Sequence, residues 1–203
     1  SPVPNVVWMI DNHVAQYTES AKDADILFGA HSWGYQHEDK RFRWLPCAYS
    51  PAEHFDTHSE KNLDLIFVGV LYPHRVKLLE KLADMSPTGV GVGMGVLGKE
   101  YNDENNRARI GLCLSACGDV PMRVFENAAQ GLLIFCDLQK DLSKLGLKDG
   151  IHYVGLGSTE EAVTKFKIML NTPEMVAQIA KSGKDALREE TYETRVQQMF
   201  SYL

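Results

Sequence analysis

Two charged side chains three residues apart, Arg123 and Glu126, stand inside the run GDVPMRVFENAAQGLLIFCD at 118–137. A glycine and a proline break the chain, the pattern predicts a helix from about Met122, Gly131 stops it, and an apolar strand follows. A helix opening after a buried strand aims its N-terminus at the carboxyl edge of the sheet, where free N–H groups and the helix dipole can hold a phosphate. Arginine in a first turn works against that dipole, and an anionic ligand accounts for Arg123. Glu126, one turn on and on roughly the same side, offers a carboxylate that can accept hydrogen bonds from ribose hydroxyls. A surface Arg–Glu pair on a core helix has the same spacing, so these residues alone leave both readings open.

Three further strand ends carry candidate chemistry. Gly69 ends the apolar run LDLIFVGV, where a side chain would block a ligand, and Arg75 begins the next predicted helix, again where a phosphate would sit. A turn glycine and a solvated arginine would look the same. Asp11 and His13 follow NVVWMI, at the strand end where open α/β sheets place ligands. A neutral imidazole can take a proton near neutral pH and a neighbouring carboxylate can orient it, so His13 or Asp11 is the candidate general base. His31, after DILFGA, occupies an analogous place and ranks below them. The remaining histidines, His37, His54, His58, His74 and His152, show no metal-ligand spacing, and no metal site is expected.

The elements that would position these groups alternate between strand and helix. Strands are read at 5–10, 25–30, 63–70, 109–116, the LLIFCD run and 151–156, with a glycine-rich strand at 89–98. Helices are read in VAQYTESAKDA, HRVKLLEKLADM, the Met122 segment and three C-terminal stretches. Such alternation implies parallel βαβ crossovers and a doubly wound sheet. The polar stretch HFDTHSEKN marks a boundary near residues 56–62. The division expected is a partial first lobe at 1–59, a ligand-binding lobe at 60–187 and a final helix at 188–203 that returns to brace the first lobe. Gly93, Gly95 and Gly98 spell G-x-G-x-x-G, but KEYNDENNR after them is polar and rich in turn formers, so a glycine strand and loop is expected there rather than a dinucleotide site.

The string RVFENAAQGLLIFCD resembles the segment of type-B glycosyltransferases in which R-x-F-E-x-x-A-x-G precedes a buried strand, especially the group-1-like, CgeB-related enzymes. LDLIFVGVLYPHR resembles the start of their donor domain, RIGLCLSA the strand before that helix, and ETYETRVQQMF their ending. The resemblance covers approximately residues 5–200. It implies an α/β fold of two Rossmann-like lobes, with the first lobe short, and a nucleoside-diphosphate sugar as donor substrate rather than a cofactor. It also implies diphosphate contact by Arg123 and ribose contact by Glu126, and it points to Gly69 and Arg75 on the donor side. The sequence departs from many retaining enzymes of this type in carrying Gly118 where they place a second glutamate; Asp119 stands next to it as a partial substitute.

Composition narrows the remaining classes. With 27 acidic residues against 21 basic ones, the net charge of -6 disfavours a nucleic-acid acceptor. No apolar run is long enough to span a membrane and no leader pattern opens the chain, so a cytoplasmic protein is expected. The chain starts on Ser1, from which a processed or trimmed chain is expected, and the sequence leaves open whether the short first lobe is natural or trimmed. The four cysteines lack paired spacing and read as buried free thiols, with Cys113 and Cys117 on one strand face. A non-catalytic nucleotide-sugar or phosphate-binding module is the alternative to a transferase with an unidentified acceptor, and a dinucleotide oxidoreductase ranks third.

Overall fold

A computed structural model of the chain describes residues 3–15, 19, 21–34 and 37–203. Its first part is a parallel three-stranded sheet of β1 (Val6–Met9), β2 (Ile26–Gly29) and β3 (Phe42–Trp44), in that spatial order. β2 is the central strand, and its Leu27 and Phe28 are fully buried. Past the strand ends, the Asn12 amide accepts from the His31 N–H at 3.0 Å and donates to the carbonyls of His31 and Trp33, which binds the loops after β1 and β2 together. The helix expected at 14–24 includes residues 16–18 and 20, which lie outside the described residues.

The larger part alternates strand and helix: β4 (Leu63–Val68), α1 (Pro73–Ala83), β5 (Val90–Gly93), α2 (Gly98–Asn106), β6 (Ala108–Cys113), α3 (Met122–Ala129), β7 (Leu133–Asp137), α4 (Lys140–Lys144) and β8 (Val154–Leu156). Three helices follow, α5 (Thr159–Leu170), α6 (Pro173–Ala186) and α7 (Tyr192–Phe200). All five strands are parallel in the order β5-β4-β6-β7-β8. Strand order reverses between β4 and β6, so the crevice beyond their carboxyl ends is where a doubly wound sheet opens for a ligand.

Alternation along the strands builds two cores. Leu65, Phe67, Ile110, Leu112, Leu133 and Phe135 face α1, α5 and α6. Their neighbours in sequence point the other way: Ile66 and Val68 meet Tyr101 of α2, while Cys113, Ile134 and Cys136 meet Val124, Phe125 and Ala128 of α3. Each fully buried phenylalanine here contributes on the order of 1.5–3 kcal/mol. Ala30, Cys47 and Tyr49 join the α3 cluster, so an apolar seam runs from one sheet to the other.

Two expectations from sequence are corrected. The residues after GMGVLG are helical, not a loop, because the polar face of α2 is buried against polar partners. Asn102, Asn105 and Asn106 are all 1 to 2% exposed, and Asn102 and Asn106 bind the backbone of residues 55–57. Cys117 is exposed, because β6 ends at Cys113 and the chain turns away before it; Cys47, Cys113 and Cys136 are buried and free.

The chain crosses between the sheets twice, and the crossings are bonded to each other. Tyr49 N–H donates to Glu190 O at 3.2 Å, and Tyr192 N–H donates back to Tyr49 O at 3.1 Å. Arg195 of α7, 2% exposed, donates to Pro46 O at 2.8 Å and Cys47 O at 3.2 Å and pairs with Glu190. A separate tie joins the Ser32 N–H and hydroxyl to the buried Asp141 carboxylate of α4.

Candidate active site

The carboxyl ends of the two sheets face each other across a cleft of about 630 Å³, within the range of small-molecule sites. Asp11 and His31 line it from the first sheet, Gly69, Asp119, Arg123 and Glu126 from the second, His54 from the linker and Tyr101 from α2.

α3 sets the second wall. It opens after Pro121 with no side-chain cap, its first residues Met122 and Arg123 line the cleft, and it ends on Gly131 at φ 75°. The Leu132 N–H bonds Asn127 O and the Gly131 N–H bonds Ala128 O, the paired pattern that satisfies a helix's last carbonyls. At Gly111 the helix lies on bare β6 backbone, because a Cβ there would overlap the Asn127 amide.

Arg123, in the first turn of α3, lies over the Phe67 ring at 5.3 Å. Its Nη1 occupies the space above Gly69, where a Cβ would stand 2.7 Å away. The glycine therefore makes room for the guanidinium. Arg75 does not line the cleft. It is 3% exposed, stacks on Tyr72 and Phe67 and donates to Val70 O at 2.9 Å and Leu114 O at 2.7 Å. Burial, and then the like charge of Arg123, pulls its pKa below the ordinary guanidinium value. Neither arginine has a salt-bridge partner within 4.0 Å among the described residues, and the Nε of each is buried without a partner.

One turn further along α3, the Glu126 carboxylate accepts from the Tyr101 hydroxyl at 2.6 Å and lies 3.7 Å from His54 Nε2. Burial, then the Glu126 charge, pushes the Tyr101 phenol far up, so it stays a donor. Asp119 is committed locally: its Oδ1 accepts from Ser115 Oγ at 2.8 Å and from the Ala116 and Cys117 N–H groups. Burial alone would raise its carboxyl, but these bonds outweigh burial and hold it below the usual range. The same turn spends the Gly118 and Asp119 N–H groups on Ser115 Oγ, so the anion-binding end is the start of α3 rather than the loop before it.

On the opposite wall His31, and not His13, is among the residues that line the cleft. His31 reaches the cleft, is 2% exposed and leaves both ring nitrogens without a protein partner. Burial lowers its pKa against the opposing pull of Asp119, which keeps the ring neutral. His13 packs against it, with ring centroids 5.2 Å apart, and Trp33 closes the triangle at 6.0 Å from His13 and 5.5 Å from His31. Asp11 lines the cleft beside His31.

Sequence reading passed over His54 and Tyr101. The one signal for Tyr101 was an aromatic residue inside an otherwise polar helix. No cluster of three or more metal-capable side chains occurs among the described residues, and none of their helices is long and apolar enough to cross a membrane.

A family model described as glycosyl transferase-like matches residues 53–201. No curated protein matches the sequence. Among solved structures, Anabaena Alr3699/HepE in complex with UDP and glucose is similar at a TM-score of 0.75 and 12% identity, over 98% of this chain and 71% of that one. Sucrose-phosphate synthase from Thermosynechococcus elongatus is similar at 0.61 and 11%, over 97% of this chain and 57% of that one. A variant of S. aureus TarM, in complex with Fondaparinux, alpha-GlcNAc-glycerol and UDP, is similar at 0.70 and 8%, over 97% of this chain and 49% of that one. The chain thus spans about half of TarM's length and 57% of the synthase's.

Proposed function

This chain belongs to the glycosyl transferase-like family and has the two-lobed type-B fold, and from that premise we propose that it transfers a sugar from a nucleoside-diphosphate sugar to an acceptor held by the first sheet. The observation that carries the reading is the order of groups along α3. Arg123, without a carboxylate partner at the uncapped helix start, fits a diphosphate, and Glu126, one turn on, fits the ribose hydroxyls. Departure of the nucleoside diphosphate would draw on the helix dipole and Arg123, with Arg75 adding charge from beneath, and that scheme calls for no metal. His31, neutral and facing the cleft beside Asp11, is the group in place to take the acceptor proton, with His13 packed against it.

The residues at 60–187 would carry the donor, those at 1–59 the acceptor side, and 188–203 the brace between them. Within the family we favour the CgeB-related subgroup, on the RVFENAAQG run and the absence of a glutamate at Gly118. The HepE complexes with UDP make UDP-sugars the first donors to try.

The test is calorimetric titration with UDP-, ADP- and GDP-sugars, with nucleoside diphosphate release followed over a panel of acceptors in the wild type and in Asp11→Asn, His13→Gln and His31→Gln. Donor binding with release that falls in one of these variants at unchanged donor affinity supports the reading. Tight donor binding without release on any acceptor would replace the transferase with a binding module. Binding of NAD in place of every nucleotide-sugar would reject the donor site altogether.

A further inference from the structure

We propose that Tyr101 and His54 are positioning residues that make the site selective for a ribose cis-diol, by holding the Glu126 carboxylate in one orientation. The proposal rests on the nucleotide-sugar reading and adds what that reading leaves open, namely why this carboxylate recognises two adjacent hydroxyls.

Glu126 is bonded on one side and faced by an imidazole on the other. Its Oε2 accepts from the Tyr101 hydroxyl at 2.6 Å, and its Oε1 faces His54 Nε2 at 3.7 Å. The Glu126 and His54 side chains are 14% and 12% exposed. The His54 Nδ1 accepts from the Ser50 N–H at 3.2 Å, which puts the proton of the neutral ring on Nε2, pointed at the carboxylate. The His54 ring meets Tyr101 edge-on, 5.7 Å between centroids. A carboxylate offers about four lone-pair positions, two on each oxygen. With Tyr101 bonded to Oε2, and the His54 N–H facing Oε1 from beyond hydrogen-bond distance, each oxygen keeps at least one position for the cleft. Two acceptors at carboxylate spacing match two hydroxyls on neighbouring carbons.

Neither positioning group is free to drift. Tyr101 is 8% exposed on α2, and that helix is bonded to the linker: Phe55 N–H to Asn102 Oδ1 at 3.1 Å, Thr57 N–H to Asn106 Oδ1 at 2.9 Å, and Asn106 Nδ2 to Phe55 O at 2.9 Å. Gln130, capping α3, donates to the same Asn102 oxygen at 3.0 Å. Linker, α2 and α3 therefore form one bonded unit around Glu126.

The experiment measures calorimetric affinities for UDP, ADP, GDP and CDP, for their 2′-deoxy counterparts, and for inorganic pyrophosphate. For the best-bound base, the wild type should prefer the ribonucleotide by about tenfold or more, the fold expected for one hydrogen bond to a charged group. Tyr101→Phe keeps the ring and should reduce that preference by about threefold or more, with pyrophosphate affinity unchanged. His54→Leu should do the same and His54→Gln, which retains an N–H donor, should restore the preference; this pair decides the matter if Tyr101→Phe does not fold. An unchanged ribose preference in Tyr101→Phe and His54→Leu, or a parallel loss of pyrophosphate binding, overturns the proposal while leaving the donor site standing. A wild type that binds no nucleotide overturns both.

Discussion

Arg75 and Arg123 donate to one and the same carbonyl oxygen, that of Leu114, at 2.7 and 3.4 Å, and both lie over the Phe67 ring. Two guanidiniums converge at the switch point of the sheet, and no carboxylate among the described residues lies within 4.0 Å of either. Their roles divide by depth: Arg75 holds backbone from beneath, and Arg123 presents its charge to the cleft.

Arg123→Ala should therefore weaken nucleoside diphosphate binding by roughly 1.5–3 kcal/mol, the range for a hydrogen bond to a charged group. Arg75→Ala should instead lower the unfolding free energy by roughly 1–3 kcal/mol, because a buried guanidinium that bonds the Val70 and Leu114 carbonyls and stacks on Phe67 and Tyr72 is lost. Calorimetry and urea unfolding on both variants check the division; equal binding losses at equal stability would reject it.

His31 gives a pH signature. Its folded pKa lies below the unfolded value near 6.5, so the unfolded chain takes up its proton first as pH falls. Stability contributed by the neutral ring is complete above about 6.5 and is lost as pH drops from there through the folded value. Urea unfolding of the wild type and His31→Gln from pH 8 to pH 5 should show a smaller loss of stability in the variant. Parallel curves would mean that His31 titrates as it does in the unfolded chain.

The close approach of α3 to β6 predicts a coupled loss. Gly111→Ala pushes against the Asn127 amide and should cost about 1–3 kcal/mol of stability, as overpacking does. Because Arg123 and Glu126 ride on the same helix, donor KM should rise with it. A variant that is destabilised but binds donor normally would show that the helix can shift without moving its charged face.

Thiol chemistry should single out Cys117. Burial pushes Cys47 and Cys113 up to about 12 and Cys136 well above its ordinary value, while Cys117 is exposed. An aromatic disulfide reagent at pH 8 should titrate one thiol in the native protein and all four in denaturant.

The α3 segment was readable because its signals are local: an apolar face in Val124, Phe125 and Ala128, a proline at the start and a glycine at the stop. The strands were readable as apolar runs for the same reason. α2 was not, since its several Asn and Asp residues disfavour a helix interior and its burial rests on asparagine bonds to a distant linker. Asp11, Gly69, Asp119, Arg123 and Glu126 were each found at a strand or helix end and do line the cleft. His13 and Arg75 have the same kind of position in sequence, yet neither is among the residues lining it: Arg75 is buried, and His13 is half-buried against His31 and Trp33. Side-chain direction there is decided by neighbours such as Trp33 and Phe67, which no local pattern announces.

The paired crossings at Tyr49 and Thr191 have a mechanical consequence. Two separate tethers would let the lobes twist and slide as well as bend. Here the tethers are bonded side by side, and the Asn102 and Asn106 anchors take residues 55–57 out of the flexible length. With the Ser32–Asp141 bonds as a third tie, sliding His31 past Arg123 would require breaking bonds at more than one place along the seam.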